Sequence, residues 1–446
     1  MSLQGKKIAV IGMGVSGVAS VELASSLGAS VLAVNSGNVG DWSHKIEDQS
    51  KCTLISQDDM TISQKLSEVS FIVLSPGIAR ESDFLELPLS KGISVISEIE
   101  FAYQNTDFSD SKIISVTGTN GKTTTVTILD ILARGAGKSV FLGGNIGTPL
   151  ATYAHELLIG KRAAADLIIL ELSSFQLESM KTFKSDVAAI LNISANHGER
   201  YDSVAGYAYA KFHIADRMDS SSTVYIGDLD GFEKDFNPSC KTIFLETPKS
   251  LSSLDEEFNK SFHLIGPHNL SNLNFTLRLL EDVGVQWRDG IESLSDFHGV
   301  SYRLQKRPSR EGLEVFNDAK STNWEATTTA LSAAAFSYPR SKTYLLLGGQ
   351  LRGHGDELGA KLDKFKDKIT KIYLYGESGK SLYPEVSNKF QCELFSDLNE
   401  VVRKIDTEIE GGVILFSPAF PSFDLYDNYL RRGEHFDHLV SEYLGL

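Results

Sequence analysis

Short apolar runs recur along the chain, separated by helix-like segments, and that alternation restricts it to parallel sheets covered by helices. Ile8–Ile11, Val31–Val34 and Phe71–Leu74 make a first series, and Ile113–Val116, Leu167–Leu170 and Val187–Leu191 a second. Leu313–Phe316, Tyr344–Leu347, Ile372–Tyr375 and Val413–Phe416 make a third. Each series is about what one doubly wound sheet requires. The expected fold class is therefore α/β with three domains. A Rossmann-like domain is expected over 1–100, a central parallel sheet over 101–299 and a second Rossmann-like domain over 300–446. A length of 446 residues suits that count. No solenoid repeat or low-complexity stretch interrupts the pattern.

Composition narrows the functional classes. A net charge of -15 argues against a broad nucleic-acid-binding surface, although a few placed Lys and Arg can still hold a small anion. No apolar run reaches the roughly 18 residues of a membrane span. Cys52, Cys240 and Cys392 are far apart, with no paired or metal-knuckle spacing, and read as thiols in a reducing compartment. Met1–Lys7 runs straight into a strand-like segment, unlike a signal peptide, so a cytoplasmic location is expected.

Gly12-Met13-Gly14-Val15-Ser16-Gly17 follows the first strand and opens a helical stretch. Glycines there permit a tight turn and let phosphates approach the N–H groups of a helix start. Binding of NAD would also want an acid about 20 residues on, for the ribose hydroxyls. The second strand ends Val34-Asn35-Ser36, without a carboxylate. Another phosphorylated ligand and a purely structural turn both remain open.

A second loop is more specific. Ile113–Val116 leads into Thr117-Gly118-Thr119-Asn120-Gly121-Lys122-Thr123-Thr124 and then the helical run Val126–Ala133. Backbone N–H groups in such a loop cradle phosphates, Lys122 can meet the terminal ones, and Thr123 can offer a hydroxyl to Mg²⁺. Val116 stands where the common eight-residue form has its first Gly. The expected ligand is ATP.

That variant loop resembles the loop of the Mur ligase superfamily, and the resemblance runs along most of the chain. Gly143-Gly144-Asn145-Ile146-Gly147, Glu171 to Glu178, Asn192-Ile193 with His197-Gly198-Glu199-Arg200-Tyr201, and His268-Asn269-Leu270-Ser271-Asn272 carry it. Asn317 to Asn323, and Ser417-Pro418-Ala419 with Ser422-Phe423-Asp424, extend it to the C-terminal third. The members most resembled add D-glutamate to UDP-N-acetylmuramoyl-L-alanine, a peptidoglycan precursor. The resemblance thus implies an ATP-dependent ligase working through an acyl phosphate. Its partners would be those two substrates and ATP, with no nucleic acid and no membrane, and the enzyme a monomer.

Residue by residue, the resemblance implies the following roles. Gly118, Thr119, Asn120, Gly121, Lys122, Thr123 and Thr124 would hold ATP together with Asn269, Asn272, Arg303 and Asp318, of which Asp318 suits the ribose hydroxyls and Arg303 a phosphate. Gly14, Val15, Ser16, Ser75, Asn145, Ser173 and Gln176 would hold the UDP-linked acceptor. Lys320, Thr322, Arg352, Ser422, Phe423 and Tyr429 would hold the amino acid. Lys122, Glu171, His197, Lys211 and Asn145 would be catalytic. Thr123 and Glu171 would hold a first Mg²⁺, and His197 and Lys211 a second.

Read without the resemblance, Lys211 is a solvated helix lysine. The family's corresponding lysine reacts with CO₂, and as a carbamate it would supply anionic oxygen to the second ion. His435 and His438 read as surface residues of the last helix.

Some positions depart from the family pattern. Tyr302 precedes Arg303 where a His is usual, and Asn196 replaces the acid before His197. Gly348-Gly349 is followed by Gln350-Leu351-Arg352 where a Lys is expected, so Arg352 would substitute with its planar fork. Asn35 and Gly37 replace polar positions expected near uracil. The competing readings are another superfamily ligase of different amino-acid specificity and an ATP-binding regulator without turnover. A folate-extending ligase would lack the N-terminal glycine-turn domain. A regulator would have no use for Lys122, Glu171, His197 and Lys211 together.

Overall fold

The computed structural model of the chain describes residues 2–194, 200–351 and 358–445, with backbone alone for 358–360. Two compact units emerge, Met1–Glu246 with Asn272–Gly290, and Thr247–Ser271 with Ile291–Leu446.

The first unit holds two parallel sheets. β1 (Lys7–Ile11), β2 (Ser30–Asn35), β3 (Cys52–Ser56), β4 (Phe71–Leu74) and β5 (Ser94–Ser97) lie in the order 3-2-1-4-5. β6 (Lys112–Thr117), β7 (Val140–Gly144), β8 (Leu167–Glu171), β9 (Val187–Asn192), β10 (Thr223–Asp228) and β11 (Lys241–Phe244) lie in the order 11-10-9-6-8-7. All ten anticipated runs form strands. Their residues are apolar without alternation because helices cover both faces, as parallel sheets demand. Ile8–Ile11 and Leu167–Leu170 are accordingly buried throughout.

In both sheets the strand order reverses beside a central strand, β1 and β6. Parallel sheets open a crevice beyond the strand C-termini at such points, where ligands bind. Gly12 and Ser75 follow β1 and β4 at the first crevice, and Gly118 follows β6 at the second.

The second unit carries β12 (Gln305–Arg307), β13 (Leu313–Asn317), β14 (Thr343–Gly348), β15 (Ile369–Tyr375), β16 (Cys392–Phe395) and β17 (Gly412–Ala419), ordered 12-13-17-14-15-16. Only β12 pairs antiparallel, with β13. The C-terminal ends of β13, β14 and β17 are neighbours through their pairing registers. Among the described residues no helix is long and apolar enough to cross a membrane.

One buried acid joins two helices of the first unit. Helix Glu98–Asn105 is capped by Ser97, whose Oγ accepts from Glu100 N at 3.2 Å. Glu98 in its first turn reaches the start of helix Leu150–Leu158, where Oε1 accepts from Ala151 N at 2.5 Å. Pro149 at that N-cap position has no side-chain acceptor to offer, so a neighbouring helix caps the exposed N–H groups instead. Burial pushes the Glu98 pKa up to about 7, against the backbone donors of Ala151 and Leu150. Oε2 is buried without a partner.

A carboxyl protonated more readily in the folded than in the unfolded chain stabilises at low pH. That contribution is complete below the unfolded value of 4.5 and is lost as pH rises towards 7. The melting temperature of Glu98→Gln, relative to the natural protein, should therefore rise by about 5 °C between pH 5 and pH 8. Parallel melting curves would show that this carboxyl carries no linkage.

Candidate active site

The phosphate loop is shaped by two left-handed glycines and a bracketing amide. Gly118 has φ +150° and Gly121 φ +85°, and the helix Lys122–Gly135 begins directly after them. Asn192, the last residue of β9, closes on the loop from the side. Its Oδ1 accepts from Asn120 N at 2.9 Å and its Nδ2 donates to Asn120 O at 3.1 Å. Its own carbonyl accepts from Thr119 N at 2.9 Å. Thr119 Oγ1 accepts from Ser194 N at 3.0 Å. An apolar strand ending in a polar residue is the sequence signal for Asn192.

Two lysines converge on the same loop carbonyl. Lys122 Nζ donates to Gly118 O at 2.8 Å and to Thr119 O at 3.0 Å. Lys211, from helix Val204–Phe212, donates to Gly118 O at 3.0 Å, with its ammonium position 4.4 Å from the centre of the Tyr207 ring. Lys211 is fully buried, which corrects its reading as a solvated helix residue. The helix aims its inner face at the loop, and the side chain follows. Burial, with the Lys122 ammonium alongside, lowers the Lys211 pKa to about 6, against the opposing pull of Glu171. An amine held without its proton keeps the lone pair that addition to CO₂ requires.

Glu171 ends β8 and is buried. Thr123 Oγ1 donates to its Oε2 at 2.9 Å, and Asn145 Nδ2 donates to its Oε1 at 2.9 Å. The backbone joins them too, since Asn145 N donates to Glu171 O at 2.7 Å. Gly144 must be glycine for this approach, because a Cβ there would sit 2.3 Å from Glu171 O. A threonine hydroxyl and a carboxylate side by side at a phosphate loop are hard oxygen donors suited to Mg²⁺. Thr124 lies in the first turn of the same helix. Nearby, Ser173 and Gln176 form a capping box, Gln176 N donating to Ser173 Oγ at 3.3 Å and Ser173 N donating to Gln176 Oε1 at 3.0 Å.

Asn272 is buried beside the loop, its Oδ1 2.4 Å from where a Cβ on Gly121 would lie. It belongs to the first unit, whereas Asn269, also buried, belongs to the second. Asn269 Nδ2 donates to Ile265 O at 2.8 Å.

The glycine turn after β1 lines a cavity of about 360 Å³ with Gly14, Val15, Ser16, Asn35, Ser36 and Ser75. Gly12 has φ +91°, and Ser75 Oγ donates to its carbonyl at 2.8 Å. Asn35, where a dinucleotide site would have an acid, instead accepts from Met13 N at 2.9 Å and braces the turn. Val15 is exposed at the mouth.

In the second unit Asp318 is buried at the end of β13. It accepts from Leu304 N at 3.0 Å and from Ser417 Oγ at 2.7 Å, and burial raises its pKa to about 7. Arg303 and Lys320 act on it from either side electrostatically, and Arg303 is itself exposed. Burial, then Arg303, lowers the Lys320 pKa. Lys320 Nζ lies 5.7 Å from the Tyr429 ring centre. Thr322 is half-buried, Ser422 buried and Phe423 exposed. Tyr302, at the expected His position, takes φ +61°. His435 is half-buried, its Nδ1 2.7 Å from Tyr426 Oη, which corrects the surface reading. His197 and Arg352 lie outside the described residues.

Gly121→Ala tests the loop directly. A left-handed alanine costs about 1–2 kcal/mol, and its methyl would displace Asn272. The variant should melt earlier and lose at least about tenfold in apparent ATP affinity, since a misplaced donor set weakens every phosphate contact. Unchanged melting and ATP dependence would show that the loop tolerates a side chain there.

Comparison with known proteins places this geometry in a family. Residues 116–244 match the Mur ligase middle domain. A UDP-N-acetylmuramoylalanine–D-glutamate ligase of Alkaliphilus metalliredigens (strain QYMF) is 31% identical, covering 99% of either chain. A protein of the same name from Vibrio campbellii (strain ATCC BAA-1116) is 32% identical, covering 85% of each. Among solved structures, MurF from Acinetobacter baumannii matches with a TM-score of 0.57 at 14% identity, covering 93% of this chain and 90% of that one. At that identity the structural likeness speaks for the fold alone. By its sequence, the chain belongs to the UDP-N-acetylmuramoylalanine–D-glutamate ligase family.

Proposed function

We propose that the protein is an ATP-dependent ligase joining D-glutamate to UDP-N-acetylmuramoyl-L-alanine, a step in peptidoglycan precursor synthesis. The observation that carries this reading is the chain Thr123–Glu171–Asn145, built on the ends of two strands and facing a phosphate loop. The names and full-length identity of the relatives supply the substrates.

A carboxylate oxygen is a poor leaving group, so amide formation needs prior activation. In the proposed sequence an acceptor carboxylate oxygen attacks the γ-phosphorus of ATP. The bond to the β–γ bridging oxygen breaks, leaving ADP and an acyl phosphate. The glutamate amine then attacks the acyl carbon, and phosphate departs with the bonding pair while the amine loses a proton. Both steps bring anions together, so fixed cations and donors supply most of the acceleration. Lys122 is placed to turn from its loop carbonyls to the transferring phosphate. Asn145, held by Glu171, presents an oriented amide for the acceptor. Ser173 and Gln176 are locked by their mutual hydrogen bonds and line the same approach.

Thr123 and Glu171 fit a divalent cation by donor type and adjacency, and Mg²⁺ bound there would offset phosphate charge. The reading includes a second Mg²⁺ position on His197 and carbamylated Lys211. The burial of Lys211 under the loop supports its part in this, since a solvated lysine would have no such access. Gly14, Val15, Ser16 and Ser75 are assigned to the UDP moiety from the family resemblance, and the cavity they line supports that reading. Asn269, Asn272, Arg303 and Asp318 are assigned to ATP, and Lys320, Thr322, Arg352, Ser422, Phe423 and Tyr429 to the amino acid. Domain limits near 100 and 299, a monomer and a cytoplasmic location complete the proposal.

ADP release by pure protein decides it, measured with ATP, Mg²⁺ and the UDP-linked acceptor against D-Glu, L-Glu, L-Lys and diaminopimelate. Turnover should depend on the acceptor and prefer D-Glu strongly. Preference for any other amino acid would overturn the specificity, and ADP release indifferent to acceptor would overturn the ligase itself.

A further inference from the structure

The second unit buries one cation whose purpose the assigned contacts do not explain. Arg432, on helix Tyr429–Leu439, has no exposed surface. Desolvating a guanidinium costs several kcal/mol unless its donors are satisfied. Here the hydrogen bonds of Nη1 and Nη2 go to backbone carbonyls, while Nε is buried with no partner among the described residues. Nη1 donates to Phe420 O at 2.8 Å and to Gly348 O at 3.3 Å, and Nη2 donates to Ala319 O at 2.8 Å. Among the described residues no carboxylate stands within ion-pair distance of it.

The three carbonyls belong to three separate segments at the C-terminal edge of one sheet. Ala319 precedes Lys320 and Thr322. Gly348 ends β14, and Gly349 and Gln350 follow it. Phe420 precedes Ser422 and Phe423. Among the described residues, the segments carrying Lys320, Thr322, Ser422 and Phe423 are thus tied by one planar group to the end of β14.

The packing around the fork is tight. Gly349 has φ +142°, and a Cβ there would lie 2.2 Å from Pro421 O and 3.0 Å from Nη1. Gln350 N donates to Pro421 O at 2.7 Å, and Ser378 N donates to Gly349 O at 2.9 Å. Turn, strand end and helix therefore move together if the guanidinium moves.

We propose that Arg432 is the positioning residue of the amino-acid subsite, setting the spacing of these three segments through a single fork. It touches no substrate in this account; it acts through the loops that do. The inference rests on the assignment of that edge to the amino acid. Lysine cannot replace it, because an ammonium is shorter and lacks the in-plane divergence that lets two nitrogens serve three carbonyls. Structural duty alone would raise no particular KM, whereas a positioning role raises the one for the amino acid.

The test uses the full chain with Arg432→Lys and Gly349→Ala. The second variant keeps the cation but drives a methyl into Pro421 O, on the segment that Phe420 O ties to the fork, and against Nη1. The assay uses whichever amino acid the natural protein turns over fastest, so a wrong substrate assignment shows in the natural protein before any variant is read. Each folded variant should raise the KM for that amino acid at least about tenfold, with the KM for ATP and for acceptor within about twofold, since a displacement near 1 Å is costly where it occurs. Should Arg432→Lys fail to fold, Gly349→Ala decides alone. An unchanged amino-acid KM, or an equal rise in all three, would overturn the proposal.

Discussion

Two lysine side chains donate to the carbonyl of Gly118, Lys122 at 2.8 Å and Lys211 at 3.0 Å. Burial, and after it the Lys122 ammonium, lowers the Lys211 pKa to about 6, while Glu171 pulls the other way. The position of Glu171 in turn depends on Thr123 and Asn145, and Asn145 on a glycine that lets two backbones touch. The charge balance at one loop carbonyl thus reaches β6, β8, the segment after β7 and helix Val204–Phe212.

The second and third sheets place polar residues at their strand ends. Apolar residues fill the strands, and the first polar side chain beyond each C-terminus is the one available for chemistry. Glu171 after Leu170 and Asn192 after Leu191 end their strands in this way, and in the third sheet Asn317 ends β13 with Asp318 next to it. Parallel strands point their C-termini to one edge, so residues distant in sequence meet there without any unusual backbone. Glycines supply the exceptions, at Gly118, Gly121 and Gly144, where the chain must turn left-handed or pass within contact of a neighbour.

Much of this was legible in the sequence, because strands and phosphate loops are local patterns. The runs Ile113–Val116 and Leu167–Leu170 are strands because no other element buries them on two faces. Lys122 and Thr123 follow from spacing alone. Lys211 is different, since its own helix looks half solvated and its burial is decided by Tyr207 and a loop some 93 residues earlier. Arg432 left a fainter trace, standing in line with Phe436 and Leu439 on an apolar helix stripe where a charged residue is out of place. Glu98 gave none, because its partner Ala151 lies 53 residues away in a different helix. Local patterns find groups; only tertiary contact shows what environment they enter.

The central claim is the proposal that Lys211, as a carbamate, would serve as an anionic ligand and not as a cation. Acceptor-dependent ADP release by Lys211→Ala, with and without small carboxylates, is its most direct measurement. A carbamate replaced by a methyl leaves an anion-shaped space, so the account predicts near-complete loss of turnover, partial recovery with acetate or formate, and none with alkylamines. Wild-type turnover in the variant, or recovery with amines in place of carboxylates, would contradict it.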